Sequence, residues 1–218
     1  MNWDNILRLI VPALGQTLYM VGASSLIAVA LGLPLAIVLY LTRPDGFYPC
    51  RAVYRLLNWF INILRSLPFV ILMFLMFPVT RLLVGKIIGS TASIVPIAAS
   101  AAPFVARLFE SHFLEIDRGI IEAARAMGSR TGQIIGRVIL PESLPALVNA
   151  VTITIINVIA YSAMAGLIGG GGLGDVANVY GYQMRRYDIM YSAVVVIIVI
   201  VQIVQHVGNT IAAKLNHK

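Results

Sequence analysis

The residues best placed to act chemically lie in one stretch, residues 117–141, where Glu122 precedes two alanines and Gly128 follows after three more residues. The wider segment, residues 107–142, holds as many acidic as basic side chains and is therefore electrically neutral. A loop that binds anionic lipid carries an excess of Lys and Arg. Balanced charge on short helices indicates contact with a specific protein surface instead.

Local signals predict a short helix at the start of this stretch. Asp117 can cap its beginning, and the helix can run to Met127 because Gly128 stands where a left-handed, helix-ending residue is wanted. The residues that share one face of this helix by their i, i+3 and i+4 spacing are Ile120, Ala123, Ala124 and Met127. That face is small and apolar, as expected of a knob that seats in a groove of another protein.

A second short helix is predicted to follow the first. Ser129 or Thr131 can cap it, and it is expected to end before Leu140 and Pro141 because the residue before a proline disfavours helical geometry. The plainer alternative is an ordinary cytoplasmic helix hairpin between two membrane spans.

Polar residues on the predicted fourth span form a second group of candidates. Asn149 and Asn157 fall on related helix faces, and such a stripe could line a transport path. Hydrogen bonding between helices explains each residue equally well. Tyr161, Ser162 and Met164 are further candidates for the path or its gate. The flexible thioether of Met164 could close an apolar constriction, and ordinary packing is the alternative.

Several kinds of chemistry are excluded by what the sequence lacks. Gly85-Lys86 has neither the upstream glycine nor the following Ser or Thr of a phosphate-binding loop. No group of His, Cys, Asp and Glu has metal-ligand spacing. The centres of the apolar runs hold no charged residue of the kind that ion-coupled carriers use. We therefore expect a non-enzymatic chain without cofactor or metal, which takes its energy from a partner.

Composition identifies an integral membrane protein. The mean hydropathy is +0.89, and 11% of residues are charged, against about 25% in soluble domains. Residues 48–66 alternate Arg with aromatic residues, as interfacial helices do. We predict one all-α transmembrane domain over residues 1–218, with a cytoplasmic loop over 109–143. The five predicted spans are residues 14–41, 67–84, 91–108, 144–168 and 189–207.

Five spans place the two termini on opposite sides of the membrane. With the loop around Glu122 and the C-terminus in the cytoplasm, most Arg and Lys residues are cytoplasmic. This distribution agrees with the positive-inside rule and predicts an N-terminus outside.

The run over residues 122–141 resembles the E-A-A-x(3)-G-x(9)-I-x-L-P loop of the membrane subunits of bacterial ABC importers, with Val138 in place of the usual Ile. Residues 161–174 are similar to the corresponding stretch of the methionine-importer permeases, as are residues 41–44 and 147–150. The similarity extends over most of the chain from about residue 16 onward.

This resemblance implies a type I ABC importer permease fold with cytoplasmic coupling helices, in a bacterial inner membrane. It implies a homodimer with the path at the two-fold interface. The other implied partners are two cytoplasmic ATPase subunits, which would bind ATP and Mg, an extracytoplasmic substrate-binding lipoprotein, an amino-acid substrate and the lipid bilayer, with no nucleic acid. Methionine, as the L- and also the D-isomer, is the substrate that the resemblance favours.

Roles within the loop follow from the same resemblance. Glu122 would make a charge contact with the ATPase, Ala123 and Ala124 would permit close seating, and Gly128 would set the exit turn. Leu140 and Pro141 complete the pattern. The alternatives are an importer of another amino acid or a short peptide, a secondary carrier, and a membrane scaffold without transport activity.

Overall fold

All regular secondary structure in residues 3–216, which this computed structural model describes, is helical. The helices are α1 (Trp3–Thr42), α2 (Arg51–Ser66), α3 (Phe69–Leu75), α4 (Phe77–Val84), α5 (Ser90–Leu114), α6 (Arg118–Ala126), α7 (Thr131–Ile134), α8 (Leu140–Gly166), α9 (Gly172–Val176) and α10 (Tyr187–Leu215). A π-helical turn over Ile135–Ile139 joins α7 to α8, and another over Ala177–Gln183 extends α9.

Within residues 3–216, four helical segments are long and apolar enough to cross a membrane, and a bent pair of helices supplies a fifth candidate. The four are Ile6–Thr42, Ser90–Leu114, Thr131–Gly166 and Tyr187–Leu215. Each is longer than the span predicted from hydropathy. For α1 the reason is tertiary packing, because Ile6 and Ile10 are buried in a cluster with Leu173 and Ile189. The helix therefore begins well before residue 14.

The second span differs most from its prediction. The sequence predicts an interfacial helix up to residue 66 and one span over 67–84, whereas α2 and α3 together form one candidate span that bends by 110°. The bend lies at Leu67 and Pro68, both with extended backbone, where a proline cannot continue the preceding helix. Ile61 of α2 is fully buried in a cluster with Leu39 and Ala106, so α2 packs on α1 and α5.

Helix α5 lies at the centre of the fold, packed against both α1 and α8. Small residues let neighbouring helices approach closely, and Ala98, Ala101 and Ala102 of α5 are buried. The end of α5 that leads towards α6 reaches Leu114, beyond the predicted boundary near residue 108. Glu110 therefore belongs to this helix, as Arg107 does, and not to the predicted loop.

The expected end of the second loop helix before Leu140 and Pro141 is wrong. The chain is helical without a break from Thr131 to Gly166, and Pro141 lies in the first turn of α8. A proline ring clashes with the carbonyl four residues earlier in a regular α-helix. Here that carbonyl belongs to Arg137, inside the wider π-helical turn, and so the helix can continue.

The glycine-rich run after α8 is held firmly against the rest of the chain at the opposite end of the spans. The side chain of Gln16 accepts a hydrogen bond from the Gly172 amide at 2.8 Å, and the Thr17 hydroxyl accepts one from the Leu173 amide at 2.9 Å. The Gly89 amide donates to the carbonyl of Gly169 at 3.0 Å. Other segments of the same chain therefore approach the backbone of the glycine-rich run closely.

Candidate coupling segment and transport path

The first loop helix forms where its cap predicts. An Oδ1 atom of Asp117 accepts a hydrogen bond from the amide of Gly119 at 2.7 Å, which satisfies one of the free amides at the start of α6. Only three residues separate α6 from the end of α5 at Leu114. The helix is therefore tied closely to the central span.

The end of α6 has the double hydrogen bond of a Schellman motif. Gly128 has φ of +80°, and its amide donates to the carbonyl of Arg125 at 2.9 Å. The amide of Ser129 donates to the carbonyl of Ala124 at 3.1 Å. Left-handed geometry at this position is the reason that glycine ends so many helices, and the predicted conformation of Gly128 is confirmed.

The next helix is capped differently from its prediction. Arg130 occupies the capping position, and neither Ser129 nor Thr131 does. The Oε1 atom of Gln133 accepts a hydrogen bond from the Arg130 amide at 2.9 Å, which is the reaching-back half of a capping box. The Thr131 hydroxyl is instead 3.0 Å from the hydroxyl of Tyr48 in the loop between α1 and α2.

The exposed face of α6 is narrower than the periodicity predicts. Ile120 is 42% exposed and Met127 is 79% exposed, and Ala123 lies between them on the surface. Ala124 is only 4% exposed and packs with Ile121 into the core of its own chain. Spacing alone groups Ala124 with the outer face, but it sits at the edge of that face and turns inward. Its predicted role in close seating on a partner is therefore not supported by its position.

A loop that sequence reasoning passed over holds α6 in place. The guanidinium of Arg125 lies 4.2 Å from the centre of the Phe47 ring, and Phe47 in turn lies near the ring of Tyr40. Together with the pair formed by Tyr48 and Thr131, these contacts fix α6 and α7 against the end of α1. The signal in the sequence was the adjacent Phe47 and Tyr48 in an otherwise polar turn.

Glu122 lies on the surface of α6, beside a cleft of about 160 Å³. The cleft separates α6 from the loop after α1 and is lined by three arginines and two carboxylates. These charged residues are Arg43, Asp45, Arg118, Glu122 and Arg125. Arg43 is paired with Asp45 at 3.7 Å, and no ion pair of Glu122 is found within residues 3–216.

Leu140 and Pro141 connect this segment to the spans. Leu140 is half-buried against the core next to Ile139, which is 1% exposed, while Pro141 is exposed. Leu140 therefore anchors the start of α8 in the core, whereas Pro141 lies on the surface. Among the described residues, no group of three or more His, Cys, Asp and Glu side chains could hold a metal ion.

One face of α8 remains exposed along much of its length and contains most of the predicted path residues. Asn149 is exposed, Ile153 is 46% exposed and Met164 is 41% exposed, with Asn157 partly exposed between them. Asn149 also borders a concavity of about 480 Å³ next to Asn209 of α10. The stripe that the sequence groups together is thus continuous on the surface of the single chain.

Two other candidates for the path lie elsewhere. Ser162 is 2% exposed, and its hydroxyl donates to the carbonyl of Ile159 at 2.7 Å, so it faces the core of the chain and not the exposed stripe. Ser162 precedes Met164 by two residues, about 200° around a helix of 3.6 residues per turn, and therefore faces away from the stripe. The ring of Tyr161 is stacked on the ring of Phe69, with centroids 4.7 Å apart and planes 13° from parallel. Tyr161 therefore joins α8 to the start of α3.

An ion pair on α5 was not predicted. Arg107 donates to Glu110 at 2.7 Å and also reaches the side-chain oxygens of Asn58 and Asn62 on α2. The available signal was the i, i+3 spacing of Arg107 and Glu110, which puts both on one helix face. It was missed because the predicted span ended too early.

The glycine-rich outer segment contains one carboxylate with a shifted pKa. Burial raises the pKa of Asp175 above its ordinary value of 3.8. No hydrogen bond or ion pair is found for this side chain within residues 3–216, so desolvation acts on it without compensation.

Comparison with known proteins agrees with this geometry. The family model for binding-protein-dependent transport system inner membrane components matches residues 28–218. The probable D-methionine transport system permease protein MetI of Vibrio cholerae is 47% identical over 210 residues, which cover 96% of this chain and 93% of that protein. The methionine import system permease protein MetP of Bacillus subtilis is 43% identical over 174 residues, covering 80% and 78%.

Solved structures show the same fold. A chain of the MetNI methionine ABC transporter, in inward facing conformations, is 42% identical, with a TM-score of 0.96 and coverage of 98% of this chain and 99% of that chain. An amino acid ABC transporter at 18% identity and a TM-score of 0.82, covering 97% and 96%, shares the fold. The chain that carries the capped α6 and these spans is therefore a binding-protein-dependent transport system inner membrane component, the membrane subunit of an ABC transporter.

Proposed function

We propose that this chain is the permease subunit of an ATP-driven importer of methionine, as the L- and the D-isomer. The observation that carries the proposal is α6, a capped helix between two spans that presents Glu122, Ile120 and Met127 outward. Support for the substrate comes from relatives whose names specify methionine and which match this chain over most of its length.

The permease would work as a homodimer with two cytoplasmic ATPase subunits. Each ATPase would bind ATP and Mg and would receive one α6 in a surface groove, with Ile120 and Met127 in apolar contact and Glu122 in an ionic one. This chain would need no cofactor of its own. Closure of the ATPase pair would move α6, and rigid-body rocking of the spans would open the path alternately to each side of the membrane.

The path would run between the two permease subunits. The exposed stripe of α8, with Asn149, Asn157 and Met164, would face the two-fold axis and contact the substrate in transit. A substrate-binding lipoprotein would deliver methionine at the end that holds the glycine-rich run. That end would be extracytoplasmic, so the N-terminus would lie outside and the C-terminus in the cytoplasm.

The test is uptake of labelled methionine into proteoliposomes that contain the permease, its ATPase and its binding protein, with ATP supplied on the ATPase side. Glu122→Lys should insert normally and lose most of the uptake, because it reverses the charge of the proposed contact. Glu115→Lys is the matched control, since Glu115 is exposed, lies outside α6 and pairs only with His112, at 3.0 Å.

The outcomes separate the parts of the proposal. Full uptake by Glu122→Lys at normal expression would contradict the coupling role of α6. If methionine is not transported by the wild type while ATP hydrolysis responds to the binding protein, the substrate is wrong and the importer class stands.

A further inference from the structure

An ion pair on α5, between Arg107 and the buried Glu110, is linked to α2 by hydrogen bonds near the cytoplasmic ends of the spans. The carboxylate of Glu110 has a side-chain exposure of 3%, and Arg107 donates to it at 2.7 Å. The second guanidinium nitrogen of Arg107 donates to the side-chain oxygen of Asn58 and, at 3.4 Å, to that of Asn62. One arginine of α5 is therefore shared between a partner on its own helix and two on another.

This arrangement contributes little to stability in itself. Removing two charges from water costs several kcal/mol per ion, and replacement of a buried pair by apolar residues of similar volume is often neutral or stabilising. Ionisable residues within membrane spans usually have a functional role. The fork of the guanidinium suits a defined geometry, because it fixes the direction of each hydrogen bond. The pair is therefore better explained by the position that it imposes on α2.

Both helices lead directly to parts of the proposed machinery. From Arg107, α5 continues for two turns to Leu114 and then, through three residues, into α6. In the other direction α2 reaches the 110° bend and α3, where Phe69 is stacked on Tyr161 of α8. The link at Arg107 thus completes a continuous connection from α6 to Tyr161 on α8, the helix whose exposed stripe would line the proposed path.

We infer that Arg107 is a positioning residue for transport: it makes α2 move with the cytoplasmic end of α5, so that displacement of α6 is passed on to the stacked pair Phe69 and Tyr161. This inference rests on the proposed function. The link acts on how much transport each ATP hydrolysis drives, and not on whether the protein folds or binds its ATPase.

The first test separates positioning from stability by replacing both charges. Arg107→Leu combined with Glu110→Leu leaves no unpaired buried charge, so the complex should keep its yield and thermal midpoint. The ratio of methionine imported to ATP hydrolysed should fall about ten-fold, within the usual range of coupling between sites. Arg107→Lys keeps the ion pair but not the fork, and should lower the ratio by an intermediate factor.

A matched control on α2 is Ser66→Ala, because the hydroxyl of Ser66 bonds only to the carbonyl of Ile63 on its own helix. This variant should keep the wild-type ratio. The inference is overturned if the double leucine variant also keeps it. If the wild-type complex shows no methionine uptake, the proposed function fails first, and the two failures are therefore distinguishable.

A distance measurement tests the mechanical statement directly. Spin labels at Arg55 on α2 and Leu114 on α5, both exposed, would be placed in one protomer after Cys50→Ser removes the exposed cysteine. With Arg107 intact, the distance between the labels should be the same with and without ATP. In the double leucine variant its distribution should broaden. A distance that changes on ATP binding in the otherwise native chain would overturn the inference.

Discussion

Gly128 allows the most direct test of the coupling segment, because its substitution changes one quantity, the free-energy cost of its left-handed backbone conformation. Its φ of +80° is unfavourable for residues with a side chain, at about 1–2 kcal/mol. A Cβ built on Gly128 meets no atom within 4 Å, so steric conflict with neighbours adds nothing to that cost. Gly128→Ala should therefore destabilise the end of α6 by about 1–2 kcal/mol.

Hydrogen exchange can measure this change where it occurs. The amides of Gly128 and Ser129 are protected by their bonds to Arg125 and Ala124. If these amides exchange through local opening, a loss of 1.4 kcal/mol speeds their exchange about ten-fold. Gly128→Asn should have a smaller effect, because Asn visits the left-handed region more readily than Ala. Uptake of methionine should decrease in the same order, with Gly128→Ala lower than Gly128→Asn.

Gly132 provides the matched control four residues farther along. It lies in α7, a Cβ added to it also meets nothing within 4 Å, and its φ is outside the left-handed region. Alanine favours a helix over glycine, so Gly132→Ala should not speed exchange or lower uptake. Equal behaviour of the two alanine variants would refute the argument, because only φ distinguishes the two positions.

Three further predictions concern the spans and the outer segment. A Cβ at Gly208 of α10 would overlap the side chain of Thr152, so Gly208→Ala should lower the thermal midpoint by the equivalent of about 1–3 kcal/mol. Adding Thr152→Ala should restore part of the lost stability. No restoration would show that the two helices do not meet there. Because burial raises the pKa of Asp175, the folded protein binds its proton more tightly than the unfolded chain, and stability falls as pH rises from 3.8 through the raised value. Asp175→Asn should therefore raise the thermal midpoint near neutral pH and remove this dependence, and an unchanged pH profile would contradict the assignment. If Met164 closes the path, Met164→Ala should make ATP hydrolysis less dependent on the binding protein, whereas unchanged dependence would indicate ordinary packing.

The features that were predicted correctly depend on neighbours in the sequence. Asp117 and Gly128 act on amides and carbonyls a few residues away, so their types and spacing were sufficient to place both ends of α6. Four of the five predicted spans coincide with helices that are long and apolar enough to cross a membrane, because hydropathy detects apolar runs without knowledge of packing.

The features that were missed depend on contacts far along the chain. Periodicity shows that Ala124 and Met127 share a helix face, but not that Ala124 packs into its own core. The bend at Pro68 joins the predicted interfacial helix to α3 as a candidate span, and Ile61 on that helix is buried against Ala106 of α5, a contact that no local pattern shows. Arg107 gains its importance from Asn58, 49 positions earlier, and no local pattern connects the two.

In the proposed mechanism, a displacement of α6 would also reach the opposite end of the spans through α8. From Thr131 to Gly166 the chain is one helical segment of 36 residues, about 54 Å at 1.5 Å per residue, and it carries Met164 near its outer end. A rod of this kind transmits rotation with little loss, except where its hydrogen bonding changes. That place is the π-helical turn over Ile135–Ile139, directly after α7. Bending at this turn would weaken the transmission of an α6 movement along α8. The second connection, through α5, Arg107 and α2, would reach Tyr161 without passing through the turn.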